Sequence, residues 1–373
     1  MKDILKHRLI WPVVALIALI AINTATRPTF LSVTVRDGQL YGSLIDILRN
    51  SAPLMLVALG MTLVIATRGI DLSVGAIMAV SGAVALTIID ASATPNSPAT
   101  VAVAIAAAIL VSLVLGTWNG FLVSVLGIQP IIATLVLMLA GRGIALLITG
   151  GFITTVNSDP YKFMAQGYIA GFPFAFYVSV FAVAVVALVE RRTALGMLTE
   201  AVGINPKASR LAGVRSRGII WGAYIASGAL SGMAGILYSS NIMAADANAS
   251  GLFIELYAIL AVVLGGTALT GGKFSIAGTV IGVLTIQTLI STITFLGVPP
   301  PVSPVFMATA VIIVVLLQSS RVHNAARAFV GLFRARGEPP ARNDTANGAG
   351  TATDAGAQSL GDTPERDDTK VAR

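Results

Sequence analysis

Ten stretches of the chain carry apolar side chains almost without interruption: about 9–26, 51–67, 72–90, 99–126, 131–149, 172–189, 218–240, 252–270, 275–296 and 303–318. A membrane-crossing helix needs roughly 20 such residues. In lipid, only a helix or a closed barrel satisfies every backbone N–H and C=O. The pattern therefore predicts an all-α polytopic membrane protein with about ten transmembrane helices, within a range of 8–11. The range comes from two interruptions, Arg68-Gly69-Ile70-Asp71 and Gly271-Gly272-Lys273. Each is either a tight turn between two spans or a break within one helix.

Charge between the stretches gives a topology. Lys2, Lys6 and Arg8 precede the first stretch, and Arg321, Arg327, Arg334 and Arg336 follow the last. The long loop 190–217 carries Arg191, Arg192, Lys207, Arg210, Arg215 and Arg217 against Glu190 and Glu200. Segments 90–98, 241–251 and 297–302 contain Asp90 and Asp246 but neither lysine nor arginine. Positive charge marks cytoplasmic loops, so the N- and C-termini and the 190–217 loop are expected inside. Ten spans satisfy every assignment; nine would put the basic tail outside. The first stretch ends at Arg27-Pro28 without a small-residue cleavage site, so a retained helix is expected rather than a signal peptide. Residues 1–318 read as one transmembrane domain. Residues 319–373 read as a cytoplasmic tail, disordered from about 337, where large apolar residues give out.

Composition removes the soluble classes. Hydrophobic residues make up 55% of the chain and charged ones 11%, against about 25% charged in soluble proteins. Residues 319–373 hold 15 of the 41 charged side chains, leaving 26 for the first 318 residues. The net charge of +7 belongs to the loops and does not point to nucleic acid. The chain has no cysteine, and its only histidines are His7 and His323. A thiolate or histidine metal site and a Ser-His-Asp arrangement are therefore excluded. The glycines before Lys273 do not make a phosphate loop, which would need Gly where Thr267 stands and Ser or Thr where Phe274 stands. Any ATP energy must come from a partner chain. Ionisable groups near the spans are few: Arg142, Glu255, and Asp71 with Arg68, which stand three apart at a span break, where Arg68 either pairs with Asp71 or alters the turn. Their scarcity speaks against ion coupling. The pairs Gly116/Gly120, Gly218/Gly222, Gly228/Gly232 and Gly278/Gly282 each repeat on one helical face and predict close helix packing.

Two segments carry more specific patterns. In Thr67-Arg68-Gly69-Ile70-Asp71-Leu72-Ser73-Val74-Gly75, Gly69 permits a sharp turn, and Asp71 or Ser73 is placed to cap the next helix. The segment reads either as a plain cytoplasmic turn or as part of a gate. In Asn205-Pro206-Lys207-Ala208-Ser209-Arg210-Leu211-Ala212-Gly213, Asn205 suits an N-cap, Pro206 a first turn and Gly213 a terminator. A short helix over 206–212 is expected, with Ala208, Leu211 and Ala212 on one face. A loop that only carried charge would need no such cap, so the helix reads as a docking element.

These segments resemble the membrane subunits of ABC sugar importers, the ribose/xylose/arabinose permease family. Gly69-Ile-Asp71-Leu-Ser73-Val-Gly75 is similar to that family's signature after the second span. Glu200-Ala201-x-Gly203-x-Asn205 through Ala212-Gly213 is similar to its cytoplasmic coupling loop. The likeness runs over about 40–318. Asp37-Gly38-x-Leu40-x-Gly42-Ser43-x-Ile45-Asp46, Trp118-Asn119-Gly120 and Ala245-Asp246-Ala247-Asn248 resemble galactofuranose importers in particular. Arg68 departs from the glycine of the family pattern.

The resemblance implies an ABC importer permease fold in a bacterial inner membrane and import of a monosaccharide, with galactofuranose expected, by alternating access. It also implies partners: a second permease subunit (a copy or a different chain), a cytoplasmic ATP-binding subunit that holds the ATP and Mg, and a periplasmic sugar-binding protein. The chain itself would hold no cofactor and would not be an enzyme. Glu200, Ala201, Gly203, Asn205, Arg210 and Gly213 become coupling candidates, and a Gly203→Arg change is expected to uncouple without hindering insertion. Arg68, Gly69, Asp71, Ser73 and Gly75 become gate candidates. Asn119, Gln129, Thr134 and Gln287 read either as pathway groups or as interhelical hydrogen bonding. Asp246 and Asn248 read either as contacts to the binding protein or as solvated loop residues. The alternative function is a stand-alone secondary sugar carrier or facilitator.

Overall fold

A computed structural model describes residues 10–299, 302, 305–309 and 312. Lys2, Lys6, Arg8, His7, most of the tenth apolar stretch, and the tail with His323 lie outside the described residues. The apolar stretches form helices: α1 Ile10–Thr26, α2 Ser43–Ala66, α3 Val74–Asp90, α4 Pro98–Ser124 and α5 Pro130–Ile148. There follow the short α6 Asp159–Gln166, then α7 Phe174–Arg192, α8 Ala194–Ile204, α9 Pro206–Leu211, α10 Ser216–Ile242, α11 Ile254–Leu264 and α12 Ile276–Phe295. Six of these, α2, α4, α5, α7, α10 and α12, are long and apolar enough to cross a membrane.

Three boundaries differ from the expectation. Helix α2 starts eight residues before the predicted 51, although Asp46 and Arg49 are charged and Pro53 lies inside it. The two charges pair at 3.0 Å one turn apart, and Asp46 sits in the first turn, where the helix dipole favours an anion. The predicted span 252–270 is helical only over the eleven residues of α11. That is about 16 Å of helix, half a bilayer core. The chain then turns through Gly265, Gly266, Gly271 and Gly272, of which the last three have left-handed φ. Finally, the predicted loop 190–217 contains a second helix, α8. It is capped by Thr193, whose side chain accepts from the Leu195 N–H at 3.1 Å. Charge concealed this helix, because Glu200 and the arginines before it made an eleven-residue apolar element look like loop.

Outside the helices, the described residues form three two-stranded ribbons. Thr34–Arg36 pairs with Gln39–Tyr41 around Asp37-Gly38, and Tyr168–Ile169 pairs with Phe172–Pro173 around Ala170-Gly171. Both residues of each turn have positive φ, the conformation that closes a two-residue hairpin. Leu40 N–H donates to the Gly171 carbonyl at 2.9 Å and joins these two hairpins. Thr154–Thr155 pairs with Ala244–Ala245 beyond the end of α10.

Helix α10 is the central element, lying against α4, α2, α3 and α6. Glycine makes this possible. A Cβ at Gly228 would lie 2.7 Å from both Gly116 Cα and Ser112 O of α4, and one at Gly235 would lie 2.3 Å from Met78 O of α3. Gly278 and Gly282 of α12 meet Gly265 and Ala261 in the same way. The Gly218/Gly222 pair, predicted to pack, meets nothing within 4 Å. This contrast makes a direct test. Gly228→Ala forces backbone apart and should lower stability by about 1–3 kcal/mol, read as a lower melting temperature in detergent. Gly222→Ala should leave stability unchanged or raise it by up to about 1 kcal/mol, because alanine favours the helix. Equal melting of the two variants would contradict the close contact.

Candidate functional site

The turn between α2 and α3 enters the bundle. Ser227 lies eleven residues into α10, about 16 Å along a helix of about 40 Å, and its hydroxyl donates to Asp71 Oδ2 at 2.8 Å. Asp71 Oδ1 accepts from the Ser73 N–H at 3.0 Å and from the Ser73 hydroxyl at 2.6 Å. The Ser73 oxygen accepts in turn from Asn119 Nδ2 of α4 at 2.7 Å. The Thr134 hydroxyl of α5 lies 2.9 Å from the Pro130 carbonyl of its own helix and 3.2 Å from the Ile70 carbonyl, and its one proton is shared between them. Asp71, Ser73, Asn119, Thr134 and Ser227 are all fully buried. A buried carboxylate is tolerated only when hydrogen-bonded; here three donors serve it, drawn from the turn itself and from α10. The Tyr224 hydroxyl and Asn119 Oδ1 border this cluster without a partner among the described residues. Gly69 is required beside Tyr224, since its Cβ would lie 2.5 Å from that hydroxyl.

Of the two readings of Arg68, pairing with Asp71 or altering the turn, the pair does not form. Spacing of three brings side chains together on a helix, but residues 67–73 are not helical. Arg68 is exposed and points the other way, donating from Nε to the Thr270 carbonyl at 3.0 Å and from Nη2 to the Ile204 carbonyl at 2.6 Å. Its φ is +67°, in the left-handed region where glycine is at ease. The glycine of the family pattern suits this backbone, and the arginine uses the same turn to grasp two others.

Arg68 is thus the centre of a three-way junction. Gly272 N–H donates to the Ala66 carbonyl at 2.9 Å, which ties the end of α2 to the turn between α11 and α12. Gly203 of α8 sits on the same point, where a Cβ would lie 1.9 Å from Ala66 O and 2.5 Å from Gly272 N. Helix α8 runs directly into α9, where Asn205 Oδ1 accepts from the N–H groups of Lys207 and Ala208 at 3.1 and 3.0 Å. Gly213 ends the segment at φ +84°. Glu200, Ala201 and Gly203 therefore lie on a helix rather than in a loop. Gly203→Arg would drive a side chain into backbone, so its loss of function would report packing as well as coupling. Asn205, Arg210 and Gly213 are exposed, and Leu211 is 91% exposed.

The remaining predicted residues are scattered. Asn119 and Thr134 belong to the buried cluster, and Gln129 is exposed at the start of α5. Gln287 of α12 is buried and borders a cavity near the far end of α10. Gly75 lies where α3 meets the segment before α11, with Gly251 O only 2.4 Å from its Cβ position. Asp246 Oδ1 accepts from the N–H groups of Asn248 and Ala249 at 2.8 and 3.1 Å, which shapes that loop. Arg142 donates to the Ala247 carbonyl at 2.9 Å and to the Ser250 carbonyl, holding the same loop. Sequence reading missed Ser227, Tyr224 and the contact of Arg68 with the turn at 270–272; for the two α10 residues, the serine and glycine density of that helix was the one available signal. No group of histidine, cysteine and carboxylate side chains suited to a metal occurs among the described residues.

The junction makes a prediction that separates backbone from side chain. Arg68→Ala and Arg68→Gly both lose the bonds to Thr270 and Ile204, but only alanine keeps the left-handed strain. Arg68→Ala should be less stable than Arg68→Gly by about 1 kcal/mol, visible as a lower melting temperature. The reverse order would contradict the turn geometry.

A family model described as the permease component of the branched-chain amino acid transport system matches residues 43–316. The chain is 43% identical to the fructose import permease protein FruF of Bifidobacterium longum over 87% of this chain and 91% of that protein. It is 43% identical to the galactofuranose transporter permease protein YtfT of Escherichia coli, over 85% and 92%. It is 34% identical to the ribose import permease protein RbsC of Escherichia coli, over 83% and 92%. No solved structure matches. With the match running from the first turn of α2 past the end of α12, the chain belongs to this family of transport-system permease components, as a membrane subunit and not an enzyme.

Proposed function

We propose that the chain is the membrane-spanning permease of a binding-protein-dependent ABC importer for a monosaccharide. The family description names amino acids, but relatives with 43% identity over most of the chain carry fructose and galactofuranose in their names. A furanose-forming sugar of that kind is the favoured substrate. The observation that carries the coupling half of the reading is α9, a capped, six-residue helix with Leu211 standing 91% exposed. It is tied through α8 and Arg68 to breaks in two apolar hairpins. An apolar side chain held out on a short capped helix suits a hydrophobic groove on a partner.

The proposed cycle is alternating access. A cytoplasmic ATP-binding subunit, holding ATP and Mg, takes Glu200, Ala201, Gly203, Asn205, Arg210 and Gly213 as its coupling segment. Its closure displaces α9, and the junction passes that displacement to the gate segment Arg68, Gly69, Asp71, Ser73 and Gly75. A loaded sugar-binding protein delivers the sugar at the opposite face, where Asp246 and Asn248 are candidates for its contact. ATP shifts the equilibrium only by its differential affinity for the two states. The topology proposed with this cycle has ten spans in a bacterial inner membrane, both termini cytoplasmic, a permease domain over 1–318, and a separate tail over 319–373. A second permease subunit, identical or different, completes the pathway. Asn119 and Thr134 act as fasteners near it, while Gln129 and Gln287 remain pathway groups.

The buried Asp71 is the one observation that favours a stand-alone carrier, since an intramembrane carboxylate often serves a proton relay. The two readings separate in proteoliposomes. The importer reading expects sugar uptake only with ATPase, ATP and loaded binding protein together. It also expects Leu211→Asp to reduce uptake at least tenfold with an unchanged melting temperature, since exposed substitutions shift stability within about 0.5 kcal/mol. Sugar flux through the purified chain alone, or full uptake by Leu211→Asp, would overturn it.

A further inference from the structure

At the end of α10 remote from α9 lies a cavity of about 480 Å³, within the roughly 300–1,000 Å³ typical of small-molecule sites. The first turns of α2 and the last turns of α10 and α12 enclose it, so it lies within one subunit. Two of its walls hold polar groups that the protein leaves unsatisfied. Gln287 is only 7% exposed, yet its carboxamide makes no hydrogen bond among the described residues. Arg49 donates from Nη2 to Asp46 Oδ1 at 3.0 Å, while its Nε is buried without a partner. An unmet buried donor such as Arg49 Nε costs about 1–3 kcal/mol, and the Gln287 carboxamide offers its free donors and acceptor to the same cavity, so an occupant able to bond both is favoured there.

The lining defines that occupant. Asp46 and Arg49 pair at 3.0 Å and together carry no net charge, which suits a neutral ligand better than an ion of either sign. Hydroxyl groups both donate and accept, and thereby match a carboxylate, a carboxamide and a guanidinium at once. The Tyr238 and Phe295 rings on the cavity wall offer apolar faces to C–H groups. Arg49 also borders a second cavity of about 440 Å³ lined by Tyr41, Gln166 and Tyr168. There the two tyrosine rings lie 5.4 Å apart, and the Tyr168 hydroxyl is another buried group without a partner. Arg49 therefore divides an outer chamber beside the hairpins from an inner one against α12.

We propose that the inner chamber is a vestibular binding site for a neutral monosaccharide within a single permease subunit. Gln287 and the Asp46–Arg49 pair are its hydrogen-bonding groups, and Tyr238 and Phe295 its stacking walls. This deepens the importer reading and rests on it: sugar released by the binding protein passes Arg49 and is held here before the pathway opens toward α9.

The test uses the permease complex with its ATPase in nanodiscs, without binding protein, and saturation-transfer NMR with D-fructose and D-galactose as probes. Wild type should bind at least one of them. Gln287→Leu should weaken that binding at least tenfold, with melting unchanged or raised because an unsatisfied amide is removed. Arg49→Met, at the rim and independent of core packing, should do the same. In proteoliposomes with saturating loaded binding protein, both variants should lower uptake while nucleotide-stimulated ATPase activity persists. If the wild-type complex imports sugar and both variants bind and import as it does, the site is overturned and the importer reading stands. A lipid copurifying in the chamber, undisplaced by either sugar, would equally overturn it. If the complete wild-type complex imports no sugar, the importer reading falls and takes the site with it.

Discussion

A helix that stops inside an apolar slab must find partners for the polar groups it frees. The α2–α3 turn is where this chain meets that demand. Asp71 lies level with the interior of α10, and its carboxyl oxygens are served there by the Ser73 N–H, the Ser73 hydroxyl and the Ser227 hydroxyl, all of which donate to it. Asn119 and Thr134 extend the same network to α4 and α5. One carboxylate therefore fixes the relative positions of α3, α4 and α10. The glycine contacts of α10 are its counterpart in packing: Gly228 against Gly116, and Gly235 against Met78, bring the helices close enough for hydroxyls as short as serine's to reach.

The other side of the same turn faces away from the core and does different work. Arg68 accepts a left-handed backbone and in return holds the end of α8 and the α11–α12 turn. The helix that stands out to meet a partner, α9, is consequently not on a flexible loop. It is joined through α8 to the ends of α2 and α11. A push on α9 arrives at the buried Asp71 cluster after only a few residues, and the 11-residue α11 gives it a second break to act on. Motion applied at one face thereby has a stiff route into the bundle, while the chamber between Asp46 and Gln287 waits at the other end of α10.

Local signals were legible in the sequence, and distant ones were not. Apolar runs gave most of the helices, and Asn205-Pro206 with Gly213 gave α9 and both its ends, because caps and terminators are set within a few residues. The breaks at 68–71 and 271–273 were visible as interruptions, yet their meaning depended on contacts far along the chain. Ser227 is 156 residues from Asp71, and Ile204 is 136 from Arg68. Nothing at position 68 announces that its side chain turns outward, and short-range spacing suggested the wrong partner. Helix α8 was hidden by flanking charge, and α11 was overlength because apolar character continues past Gly265 where the backbone does not. The chamber was invisible for a similar reason: Arg49 and Gln287 are unremarkable until folding leaves the Arg49 Nε and the Gln287 carboxamide without partners beside one cavity.

The most direct measurement of this arrangement is a distance across the junction. The chain has no cysteine, so Met197→Cys on α8 and Lys273→Cys beside the α11–α12 turn can be spin-labelled uniquely and followed by double electron–electron resonance in the assembled complex. If Arg68 binds the coupling segment to the broken hairpins as one body, the 197–273 distance stays the same with and without bound ATP, whereas Arg68→Ala lets it vary. A wild-type distance that shifts when ATP binds would show that α8 and α9 move independently of the turn, and would contradict the junction as the route of coupling.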